Sequence, residues 1–82
     1  MSDKKKFEIY MPKLGLSPNR GTIVKWLKNG GDFINKGEKL LEVESDKAIV
    51  EVEANHSGIL EIIKDNNDGE LEIGTVIGRL IE

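Results

Sequence analysis

The sequence has 82 residues with no cysteine, one histidine, two prolines and only four aromatic side chains. Each shortage excludes a class of chemistry. Without cysteine there is no disulfide frame, thiol nucleophile or thiolate zinc site. One histidine does not make a histidine-rich metal centre. No apolar run approaches the ~18 residues that cross a bilayer, and no apolar signal segment opens the chain. Basic residues number 12 against 15 acidic ones, a net charge of −3, so the clustered positive charge that nucleic acid demands is missing. Walker loops, Gly-x-Gly-x-x-Gly runs and Ser/His/Asp sets are also missing. The expectation is one small soluble domain, cytoplasmic, with no metal, membrane or nucleic-acid partner.

Alanine is scarce as well, occurring only at Ala48 and Ala54, whereas Ile and Val together number 15. Side chains branched at Cβ fit a pleated surface, and the best helix former is nearly missing. Nine glycines punctuate short apolar segments, a pattern of brief strands joined by tight turns. The class is all-β. Met1–Lys6 reads as a disordered polar leader and residues 7–82 as the domain. Strands are expected at Phe7–Met11, Thr22–Leu27, Phe33–Asn35, Lys39–Ser45, Ala48–Ala54, Ile59–Ile63, Glu70–Ile73 and Val76–Ile81, with a Pro- and Gly-containing loop over Pro12–Gly21.

An internal repeat runs at an offset of 37 residues. Gly21 matches Gly58 and Ile23 matches Leu60. Ile34-x-x-Gly37 matches Leu71-x-x-Gly74, Leu40 matches Ile77, and Val43 matches Leu80. Recurring glycines mark a recurring turn or close approach, and recurring apolar residues mark the same buried face. Two copies of about four strands predict two four-stranded antiparallel sheets related by a pseudo-twofold, closed face to face as a flattened barrel or sandwich.

Between the copies lies Asp46-Lys47. Leu41, Val43 and Ser45 alternate with Glu42 and Glu44, while Ala48, Val50, Val52 and Ala54 alternate with Glu51 and Glu53. A two-residue hairpin on Asp46-Lys47 opposes Ser45 to Ala48, Val43 to Val50 and Leu41 to Val52, with Glu42 facing Glu51 outside. A slip of one residue would turn one strand's glutamates inward, so pattern and turn length select one register. Lys47 is then expected at the tip, pointing into solvent. Asp-Lys is a poor two-residue turn, because primed turns want φ > 0 residues such as Asn-Gly. On the residues alone, Lys47 reads either as a solubilising tip residue or as a functional one.

The segments Met11-Pro12-Lys13-Leu14-Gly15-Leu16, Gly21-Thr22-Ile23-Val24-Lys25-Trp26, Gly31-Asp32, Lys36-Gly37-Glu38 and Glu42-Val43-Glu44-Ser45-Asp46-Lys47-Ala48, followed by Gly58 and Ile73-Gly74, resemble the lipoyl domain of the biotinyl/lipoyl-attachment family. They are most similar to that of the dihydrolipoamide acyltransferases of 2-oxo acid dehydrogenase complexes, of the pyruvate or acetoin type. The likeness covers residues 7 to 82. It implies a barrel-sandwich hybrid of two four-stranded sheets and a swinging arm of lipoic acid in amide linkage to Lys47. It implies recognition of Glu44, Asp46 and Ala48 by a lipoate ligase or lipoyl transferase. The implied partners are a thiamin-diphosphate decarboxylase, an acyltransferase catalytic domain and a dihydrolipoamide dehydrogenase, served by a monomeric domain that is itself no enzyme. The His-x-x-x-Asp-Gly signature of the acyltransferase catalytic domain is missing from the sequence. The family's loop near the hairpin, which helps the decarboxylase choose its partner, corresponds to Leu16, Ser17, Pro18, Asn19 and Arg20. Where the family usually carries Glu before the glycine, this chain has Arg20, a reversed charge.

Two rival readings share the fold. A biotinyl carrier normally frames its lysine as Met-Lys-Met, unlike Asp46-Lys47-Ala48; an unmodified binding or assembly module would keep the hairpin and lose the arm. A glycine-cleavage carrier is normally longer than this chain. Asn55-His56-Ser57 matches a glycosylation pattern without a signal peptide to go with it. His56 reads as a turn residue and Trp26 as core packing.

Overall fold

The computed structural model describes residues 5–13, 20–45 and 48–82. Eight strands form: β1 Lys6–Tyr10, β2 Arg20–Trp26, β3 Phe33–Ile34, β4 Lys39–Glu44, β5 Ile49–Glu53, β6 Gly58–Ile62, β7 Glu70–Glu72 and β8 Val76–Ile81. One turn of 3-10 helix, Asn66–Asp68, precedes β7. The strands fall where the short β-branched segments predict them. Met1–Lys4 of the expected leader lie outside the described residues. Its last residues belong to the sheet instead: β1 starts at Lys6, and Lys5 accepts a hydrogen bond from the Glu82 backbone N–H at 2.8 Å.

Two antiparallel sheets stack face to face, ordered β1-β8-β6-β3 (sheet A) and β5-β4-β2-β7 (sheet B). Advancing each strand of the first order by four places around the eight gives the second, which agrees with the pseudo-twofold expected from the 37-residue repeat, with each sheet taking two strands from each half. The turns repeat at the level of single hydrogen bonds. Leu27 N–H donates to the Leu40 carbonyl at 2.7 Å, and Lys64 N–H, 37 residues on, to Ile77 at 3.0 Å. Gly37 N–H donates to the Ala54 carbonyl and Gly74 N–H to Met11, both at 2.9 Å. Those two glycines have φ of 94° and 92°, a left-handed backbone that a Cβ resists.

The interior is one apolar layer of Ile9, Met11, Ile23, Ile34, Leu40, Leu41, Val43, Ala54, Leu60, Ile77 and Leu80. Strict alternation would expose either Leu40 or Leu41. The β4–β5 ladder shifts register between Lys39 and Leu41, and this irregularity turns both leucines inward. Trp26 is half-buried against this core and donates from Nε1 to the Lys64 carbonyl at 2.7 Å, so it is a packing residue, as expected. His56 stacks on Phe7 with ring centroids 3.7 Å apart, closing the seam between β1 and the β5–β6 turn. Across the outer face of sheet A, Arg79 bridges Glu8 and Glu61.

Two glycines test the packing. A Cβ on Gly58 would lie 2.8 Å from the Ile81 carbonyl oxygen, whereas one on Gly30 meets nothing within 4 Å. Gly58→Ala should cost about 1–3 kcal/mol, as overpacking does. Gly30→Ala should stay within about 0.5 kcal/mol. Urea unfolding of both variants checks this, and equal midpoints would contradict the close approach of β6 and β8.

Candidate functional site

The β4–β5 hairpin has the register that its alternation predicts. Leu41 pairs with Val52, Glu42 with Glu51, Val43 with Val50 and Glu44 with Ile49. Ser45 N–H donates to the Ala48 carbonyl at 2.9 Å, so Asp46-Lys47 is the whole connection. Asp46 and Lys47 themselves lie outside the described residues. The inner face is less covered than its pattern suggests: Val43 is fully buried, but its partner Val50 is 38 % exposed, and Ala48 is exposed. β5 is an edge strand, and toward the tip the hairpin runs past the core layer.

Glu44 is exposed at the end of β4. It is flanked by Ile49 of β5 and by Thr22 of β2, which in turn pairs with Glu70 of β7. Two residues further toward the tip, on the same face, Arg20 lies opposite Glu72. Arg20, Thr22, Glu44, Ser45 and Glu70 line a polar cleft of about 270 Å³ at the hairpin base. Arg20, the one described member of the expected partner loop, thus stands beside the hairpin; Leu16, Ser17, Pro18 and Asn19 lie outside the described residues. Sequence reasoning missed Glu70, Glu72 and Ile49. The two glutamates reach this end only through the non-consecutive pairing of β2 with β7. The parity of Ile49 was legible, its exposure was not. A larger cleft of about 690 Å³, lined by Lys6, Phe7, Glu8, Tyr10, His56 and Arg79 among others, lies at the other sheet's seam, where Glu8 is already paired with Tyr10 and Arg79.

On the outer face Glu42 and Glu51 oppose each other as like charges, an unfavourable cross-strand pair. Lys39 relieves it, its Nζ lying 2.5 Å from Glu51 Oε1. That hydrogen bond first, and the charge of Glu51 second, hold the Lys39 amine above its ordinary range. The stabilisation is therefore complete below the ordinary lysine range and is lost as pH rises through the raised value.

The arrangement suits a group attached covalently to a lysine. The tip is two residues long on a ladder of fixed register, and its described neighbours Glu44, Ala48, Ile49 and Val50 are all exposed. Among the described residues no cluster of metal-ligating side chains occurs.

Residues 7–80 match a family model described as biotin-requiring enzyme, the biotin- and lipoyl-attachment domain. Among curated proteins, the chain is 46% identical over 76 residues to the dihydrolipoyllysine-residue succinyltransferase component of the 2-oxoglutarate dehydrogenase complex of Bacillus subtilis, covering 92% of this chain and 18% of that protein. It is 43% identical over 75 residues to a chloroplastic acetyltransferase component of the Arabidopsis thaliana pyruvate dehydrogenase complex, covering 92% and 16%. It is also 43% identical over 72 residues to the acetyltransferase component of the Pseudomonas putida acetoin cleaving system, covering 88% and 20%. The chain spans a fifth or less of each of these relatives. The likeness thus extends beyond the pyruvate and acetoin types to the 2-oxoglutarate type.

Replacing Lys39 by Gln should lower the melting temperature at low ionic strength, with a difference that shrinks in molar salt. Thermal unfolding at two salt concentrations reads this directly. A salt-independent difference would assign Lys39 a packing role instead.

Proposed function

The chain belongs to the biotin- and lipoyl-attachment family, and on that premise we propose that it is a lipoyl carrier domain with Lys47 as its attachment residue. The observation that carries this reading is the ladder closing between Ser45 and Ala48, which leaves Asp46-Lys47 as a two-residue tip on a hairpin of single register. Lipoic acid in amide linkage supplies a dithiolane that accepts and hands on acyl groups. The chain's own contribution is presentation: β4 and β5 fix the anchor, while Glu44, Asp46 and Ala48 identify it to a lipoate ligase or lipoyl transferase. In the whole protein we place the domain in a dihydrolipoamide acyltransferase. There it would serve a thiamin-diphosphate decarboxylase, the acyltransferase catalytic domain and dihydrolipoamide dehydrogenase. The naming of the relatives after dihydrolipoyllysine supports lipoate over biotin.

The test is intact mass and peptide mapping after incubation with lipoate, ATP and a lipoate ligase. One lipoyl group should appear, on Lys47 alone among ten lysines. Lys47→Arg should fold normally and stay unmodified. Lipoylation of that variant at another lysine would sink the assignment, and uptake of biotin in preference to lipoate would move it to the rival reading.

We also propose that Leu16–Arg20 reads the decarboxylase, because Arg20 lies beside the hairpin base. Arg20 is exposed, so Arg20→Glu should change stability by no more than about 0.5 kcal/mol and leave lipoylation intact. The rate of reductive acylation by a cognate decarboxylase should change at low salt and converge with wild type at high salt, as rim charges behave. Identical rates in both conditions would remove Arg20 from recognition.

A further inference from the structure

Beside the hairpin stands an apolar side chain that neither the fold nor the acidic recognition residues require. Ile49 is 61 % exposed, more than any other large hydrophobic residue described. As the partner of Glu44 it lies on the outer face of sheet B, on the opposite side of the ladder from Val50, which faces buried Val43. The fold does not demand an apolar residue there. The corresponding position in sheet A is Lys6, which pairs with Ile81 as Ile49 pairs with Glu44. The other residues of this row, Glu44, Thr22 and Glu70, are polar.

Ile49 follows Lys47 by two residues, so no more than about 7 Å of backbone separates them. Amide formation on the lysine removes a strongly hydrated ammonium charge and leaves a fatty-acid-like chain within reach of that side chain. Apolar surfaces so placed gain by covering one another. We propose that Ile49 is a resting contact for the acyl arm of Lys47, holding the arm against the outer face of sheet B between encounters with partner enzymes; this rests on the reading that Lys47 carries lipoate. The contact is weak enough to release the arm. A fourfold preference for the resting position corresponds to about 0.8 kcal/mol, the effect of burying about one methylene.

The experiment compares the methyl NMR spectra of the isoleucine-labelled chain before and after lipoylation, with intact mass and peptide mapping to place the group. The Ile49 δ1-methyl should shift and show cross-peaks to the arm's methylenes. Ile59, 42 % exposed on sheet A, should stay where it is. In lipoylated Ile49→Thr, which keeps a strand-forming branched side chain, a water-soluble phosphine should open the dithiolane about two- to fourfold faster than in wild type, as loss of such a preference predicts. A chain lipoylated on Lys47 whose Ile49 methyl does not move, or moves only together with that of Ile59, overturns the resting contact and leaves the carrier reading standing. Equal reduction rates in wild type and Ile49→Thr overturn it too. A chain that takes up no lipoate overturns both.

Discussion

One apolar layer, shared by two sheets, is the constraint on which this domain depends. A chain of 82 residues buries only a modest fraction of its surface, and its net stability is of the order of 4–12 kcal/mol. The eleven apolar side chains buried among the described residues must therefore all be correctly faced. The burial of Leu40, Leu41 and Val43 on β4 fixes which way Glu42 and Glu44 point, and β5 takes its register from β4. The register of the strands that flank Asp46-Lys47 is thus set several residues away, by packing rather than by the turn's own preferences. This is how a turn with a poor intrinsic sequence can terminate a hairpin of single register.

The repeat also separates what the fold needs from what is added to it. Where one half agrees with the other, as in the left-handed Gly37 and Gly74, the shared feature is architectural. Two differences stand out. The β1–β2 connection is five residues longer than the β5–β6 connection, a length the sandwich does not require, and it contains most of the candidate partner loop. The β4–β5 hairpin is the counterpart of the meeting of β8 with β1. Ser45 N–H to the Ala48 carbonyl, at 2.9 Å, corresponds to Glu82 N–H to the Lys5 carbonyl, at 2.8 Å. The hairpin that bears Lys47 in one half stands where the first and last strands of the domain come together in the other.

Much of this was legible in the residues. Branched side chains between glycines located all eight strands, and alternating glutamates located the register of β4 with β5, because period-two burial leaves a strand only one acceptable facing. What was not legible depends on long-range pairing or on the edge of the core. Nothing local to Glu70 and Glu72 says that β7 joins β2, so their approach to Arg20 and Glu44 was hidden. The alternation of Val50 with Glu51 predicts an inward side chain and is right about its direction. It says nothing about whether another side chain covers it, and at an edge strand running past the core none does so fully. The paired burial of Leu40 and Leu41 rests on a register shift that alternation cannot express.

The same edge effect connects architecture to function. A lysine placed over the centre of the sandwich would lie along a flat sheet, with neighbours on both sides to limit an enzyme's approach. On an edge hairpin that outruns the core, Glu44, Ala48, Ile49 and Val50 are all exposed around the tip, so both faces of the strand ends are open to solvent. The cost is a hairpin end that adds little burial and cannot hold itself rigid by packing. Its stiffness has to come from the ladder below, where Val43 and Leu41 anchor β4 and the Lys39–Glu51 pair offsets the opposed carboxylates of Glu42 and Glu51. The fold thus separates the two demands on a carrier: its rigidity resides in the shared core, and its accessibility in the segment the core does not reach.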